Sequence, residues 1–105
     1  MASEVELADE QLWALAYGHV LQARRQMLDA AVDPLGDHCF ANAVLLDAEN
    51  GFELLGITPA VVPVQHSPSF SVESALALLK EVADAAEAHR LRKILLPFRS
   101  ESWEA

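Results

Sequence analysis

Cysteine is almost missing: Cys39 is the single thiol in 105 residues. That excludes an internal disulfide framework and any metal site built from several thiolates. Glycine occurs four times, at positions 18, 36, 51 and 56. None of the four belongs to a G-x-G-x-x-G run or a phosphate-binding lysine loop, so a nucleotide fingerprint is absent. Basic residues are scarce, seven against sixteen acids, for a net charge of −9. A nucleic-acid binder must neutralise phosphates, so that balance argues against one. Long apolar runs are lacking too. Unbroken apolar stretches reach at most six residues, and most are shorter, such as Ala43–Leu46, against the roughly 20 that a membrane helix needs. Residues 1–12 carry four acids and no Lys or Arg, whereas a secretory signal needs a basic start and an apolar centre. No membrane association is expected, and the expected compartment is the cytoplasm.

What is present is ordinary for a small globular chain. Hydrophobic residues make up 52% and charged residues 22%, enough apolar side chain for a single core without staples. One domain spanning residues 1–105 is expected, with polar tails at 1–8 and 99–105.

From Asp9 to about Val32, Trp13, Tyr17, Val20, Met27 and Ala31 recur at three- and four-residue steps. This is the period of an amphipathic helix. Asp33-Pro34-Leu35-Gly36 ends it. Arg24 interrupts the apolar stripe, and Gly18 sits mid-helix, where it costs about 1 kcal/mol against Ala.

Residues 40–47 and 52–57 are apolar runs around Asn50-Gly51. Asn-Gly between two such runs is a strong β-hairpin signal. Val61-Val62-Pro63-Val64 reads as a short edge strand, since Pro63 cannot donate to a ladder. A second helix, capped by Ser71, carries Ala75, Leu78, Leu79, Val82, Ala85, Ala86 and His89 on one face. Glu73, Lys80, Asp84 and Glu87 lie opposite. Arg92–Phe98 reads as a last strand, ended by Pro97.

The expected fold class is therefore α+β. Two amphipathic helices would pack on one face of a small three- to four-stranded sheet, in the order α-β-β-(β)-α-β. The unpaired edge of such a sheet suggests a homodimer.

Residues that could carry chemistry are few. Asp37-His38-Cys39 gathers an acid, a base and a thiol, but neighbouring side chains diverge, and a Cys–His pair normally meets through the fold. The four histidines, 19, 38, 66 and 89, lack the spacing of a zinc motif. No metal and no cofactor is expected, and no catalytic residue is assigned. His19 is placed on the polar flank of the first helix, and His89 at the end of the second, where its donor would favour the free carbonyls.

Charge is uneven. Residues 1–60 hold ten acids and two bases, while residues 61–105 hold six acids and five bases. Asp47, Glu49 and Glu53 would gather at the hairpin tip as an acidic face for a basic protein surface. Arg24, set in an apolar stripe, must cover the rim with its stem, pair with a carboxylate or meet a partner.

The element order in a small acidic chain resembles that of acidic secretion chaperones and of small inhibitor or immunity proteins, an analogy of fold that transfers no residue. The expected function is a protein-interaction module acting through its acidic face or an open sheet edge. One alternative is a small enzyme or ligand-binding subunit, with a pocket near Asp37-His38-Cys39 and His66. Another is a structural homo-oligomer.

Overall fold

A computed structural model describes residues 8–30, 38–65, 67–82 and 85–100. Among them the chain forms four helices: α1 (Asp9–Ala30), α2 (His38–Leu54), α3 (Pro68–Lys80) and α4 (Ala85–Ser100). No described residue is in a strand, so the α+β expectation is overturned in favour of an all-α fold. The helices form a ring. α1 packs on α2 and α3, α4 packs on α2 and α3, and the pairs α1/α4 and α2/α3 lie across the diagonals.

The expected hairpin is α2. Val44, Leu45, Ala48 and Phe52 are buried, and Leu55 packs against them. Those positions step by one, three, four and three residues, a helical face that runs straight through Asn50-Gly51. Gly51 serves helix packing rather than a turn. A Cβ built on it would sit 2.5 Å from Cδ2 of Leu91 on α4, so a side chain at position 51 would have to push the end of that leucine aside. The actual turn comes five residues later. Gly56, at φ 75°, donates its N–H to Glu53 O, and the Ile57 N–H reaches Phe52 O. This pair of bonds is a Schellman stop with glycine in the left-handed position. Ile57 then folds back onto the core.

The expected last strand is the second half of α4. Ala88, Leu91, Leu95 and Phe98 are buried at steps of three, four and three, so the apolar run from Ile94 to Leu96 is the side of a helix. Pro97 lies inside that helix, although proline there removes one intrahelical bond. The expected second helix divides in two. α3 closes at Glu81, whose N–H bonds to Leu78 O, and His89 belongs to the early part of α4, exposed, away from any helix C-terminus. Ser67, not Ser71, is the N-cap: its side chain accepts from Phe70 N–H, with Pro68 opening the helix. Such a proline costs nothing at the first helical position, where its missing N–H would have had no partner.

Residues 57–65 form an extended strap rather than an edge strand. With no sheet among the described residues, the open-edge rationale for a homodimer lapses. The strap runs along α1. Ala60 N–H donates to Ala14 O, and Gln26 Nε2 donates to Gln65 O. Twelve residues of helix rise about 18 Å, and five extended residues span about 17 Å, so strap and helix keep pace. At Gly18 they touch. A Cβ there would lie 2.2 Å from Ala60 O and 2.9 Å from a methyl of Val62. Ser71, fully buried, completes the join by donating its hydroxyl to Gln26 Oε1 at 2.8 Å. His19, expected on a polar flank, is buried as well.

Two stability outcomes follow from this packing. Leu79 is buried and Lys80 exposed, as the spacing of that segment implies. Leu79→Ala should therefore cost about 2–5 kcal/mol in chemical denaturation, while Lys80→Ala should change almost nothing. At an open helical site Gly→Ala would stabilise by about 1 kcal/mol. Gly18→Ala should instead destabilise, because a backbone carbonyl occupies the space of the new methyl; a melting temperature equal to or above wild type would refute that contact.

Candidate functional site

Three aromatic rings and one ion pair meet where α1 faces α2. Phe52, fully buried on α2, stacks on Tyr17 with ring centroids 4.9 Å apart and nearly parallel, and meets Trp13 edge-on at 6.1 Å. One turn away, Arg24 Nη1 donates to Glu49 Oε1 at 2.9 Å. The Arg24 side chain stays 40% exposed while that of Glu49 is only 11% exposed. Arg24 thus meets the second of its expected options, a carboxylate. Its stem covers apolar surface and its head reaches across to α2.

Glu49 is the strained member. Burial raises its pKa above the usual carboxylate value, the Arg24 charge and hydrogen bond pull it down, and the Glu53 charge pushes it up again. The net direction is up. Its second oxygen, Oε2, is buried without a hydrogen-bond partner among the described residues. Burial also raises the Tyr17 pKa, helped by the charges of Glu53 and Glu49, so the phenol remains neutral. Burial lowers the His19 pKa, and His19 Nδ1 has no partner among the described residues.

The three acids expected at one tip are divided by the helix. Glu49 points inward to Arg24, whereas Asp47 and Glu53 are exposed. The outward arc of α2 consists of Ala43, Leu46, Asp47, Asn50, Glu53 and Leu54, every one exposed. At 100° per residue these six fall within about a third of a turn. Leu54 is 81% exposed and Leu46 44%. Neither Asp47 nor Glu53 pairs with a cation among the described residues. The face is both apolar and acidic. Sequence reasoning named its acids but missed Leu46 and Leu54, which a helical reading of 43–54 would have put beside them.

The pocket expected near Asp37-His38-Cys39 and His66 falls largely outside the described residues. Asp37 and His66 are not among them, and His38 and Cys39 open α2 with side chains beyond what is described. No group of three His, Cys, Asp or Glu able to hold a metal occurs among the described residues. No described helix is long and apolar enough to cross a membrane.

Comparison with known proteins finds no matching family model, no matching curated protein and no matching solved structure.

The Arg24–Glu49 pair yields a pH-dependent outcome. A carboxyl that binds its proton more tightly when folded contributes stability in acid, lost as pH rises through the raised value. Removing the cation pushes that value higher. Arg24→Ala should cost about 1–3 kcal/mol at neutral pH by stranding a buried acceptor. The loss should shrink near pH 4, roughly the ordinary carboxylate range, once Glu49 is protonated. Urea denaturation at both pH values checks this. An equal loss at each would assign the effect of Arg24 to its stem.

Proposed function

We propose that this protein is an interaction module that receives a basic, amphipathic helical segment of a partner protein on the outward arc of α2. The observation that carries the reading is the composition of that arc: two exposed leucines beside two carboxylates that have no cation partner among the described residues, and no cation among its six positions. A helix laid on such a surface would bury its own apolar side chains against Leu46 and Leu54. Its Lys and Arg would meet Asp47 and Glu53. Packing of one helix on another in this way uses leucines for residence time and charges for steering and register. The net charge of −9 favours approach of a basic surface from a distance, within a Debye length of about 8 Å at physiological salt. The lone Cys39 suits the reducing setting of the cytoplasm, which we take as the compartment.

The two halves of the arc separate in kinetics. The defined probe is a synthetic Leu/Lys amphipathic helix, followed by whatever the tagged protein retains from its host. Asp47→Asn with Glu53→Gln should slow association and flatten its salt dependence, with folding stability unchanged or slightly raised. Leu54→Ala should leave association alone and speed dissociation about tenfold, equivalent to 1.4 kcal/mol. Surface-immobilised binding at low and high salt measures both. Rates that none of these substitutions moves would overturn the reading and leave the acidity as a solubility device.

A further inference from the structure

A second surface differs in chemistry from the arc of α2. Between α1 and the strap lies an open groove of about 680 Å³, lined by Gly18, Leu21, Gln22, Arg24 and Arg25 on one side and by residues 59–62 on the other. Its size falls within the roughly 300–1,000 Å³ of small-molecule sites. Two features mark it. The first 79 residues contain only two basic side chains, Arg24 and Arg25, and both line this groove. The facing stretch, residues 54–65, contains no charged residue or histidine. An otherwise acidic chain has gathered its local cations beside an apolar wall.

The two arginines differ in what they provide. Arg24 is held in place by Glu49, which offsets its charge but fixes the direction of the guanidinium. A guanidinium has five N–H donors in a rigid fork, and among the described residues only one bond, from Nη1, is made. Arg25 is exposed and has no carboxylate partner among the described residues, so it supplies the net positive charge. Leu21, Pro59, Val61 and Val62 supply aliphatic surface; Val61 is 99% exposed. An added peptide strand fits poorly, because Pro59 and Pro63 have no N–H to donate to a ladder. Recognition must run through side chains.

We infer that this groove binds a small anionic amphiphile, a carboxylate on an aliphatic body, with the carboxylate at Arg24 and Arg25 and the body against Leu21 and the Pro59–Val62 wall. Charge-assisted, forked hydrogen bonds are the geometry in which guanidinium and carboxylate match. Desolvation of the valines supplies the remainder. The site is separate from the arc of α2, so ligand here and partner there can be tested independently.

The experiment uses the full chain labelled with ¹⁵N and decanoate as the probe, below its micelle concentration. Decanol serves as the uncharged body and acetate as the bare head group. Decanoate should shift the amide signals of Gly18, Val61 and Val62 with saturation. Decanol and acetate should each bind at least about tenfold more weakly. Arg25→Gln, a change at an exposed helix position that leaves the fold intact, should bring decanoate down to the level of decanol. Arg25→Lys should retain most of the affinity. Silent groove amides, equal binding of decanol and decanoate, or an unaffected Arg25→Gln variant would each overturn the assignment. A short apolar peptide with a free C-terminal carboxylate that saturates the groove where decanoate does not would overturn it as well, by identifying a peptide as the occupant.

Discussion

The connection from α2 to α3 runs beside α1, and its closest approach to the helix falls at Gly18. Because α2 and α3 lie across a diagonal of the ring, no short loop can join them. The chain travels the length of α1 as an extended strap, and the carbonyl of Ala60 comes so close that any side chain at position 18 would collide with it. Bonds from Ala60 to Ala14 and from Gln26 to Gln65 fasten the two ends. Gln26 also receives the Ser71 hydroxyl, so one amide joins helix, strap and the first turns of α3. The groove lined by Arg24 and Arg25 is the space between α1 and that strap.

Electrostatics divide the molecule into unlike parts. The acids of α2 separate by helical phase: Glu49 turns inward to a half-exposed arginine, while Asp47 and Glu53 face solvent beside two leucines. An ion pair of this kind contributes little net stability, since desolvating the carboxylate offsets most of the attraction, and the raised pKa of Glu49 reflects that balance. Its clearer consequence is geometric. It fixes the guanidinium of Arg24, a residue that lines the groove, and ties α1 to α2 near the Phe52 cluster.

Much of the helical content was legible in the side-chain spacing, and the rest was read with the wrong period. Trp13, Val20 and Met27 point to the core of α1, and Leu79 and Val82 are buried while Lys80 is not, as their spacing implies. The hairpin reading of 40–57 gave Asn50-Gly51 the weight of a turn. A strand needs strict alternation, and Val44, Leu45, Ala48 and Phe52 do not alternate; they repeat at the helical step. In the same way, the short apolar run at Ile94–Leu96 is ambiguous until Ala88, Leu91 and Phe98 are counted with it. Both misreadings judged a few residues alone where the deciding pattern spans more than two turns.

Sequence alone determined the charge of −9 and the lack of a disulfide framework, because these depend on composition. Spacing within one segment placed Ala75, Leu79 and Val82 on a buried face but missed Val72 and Leu76, and it joined to that face Ala86 and His89, which are exposed on α4. It also marked Arg24 as an anomaly, with coverage of the rim as the favoured reading, and grouped Asp47, Glu49 and Glu53 as exposed acids, of which Glu49 is buried. Only the tertiary structure decided that the partner of Arg24 is Glu49, that Gly18 and Gly51 are contact points between elements, and that Arg24 and Arg25 face an uncharged strap. Each of those facts joins residues 25 to 45 positions apart in the chain. Local propensity carries no information about which distant segment will lie against a helix. That is settled by the joint packing of four amphipathic faces into one ring.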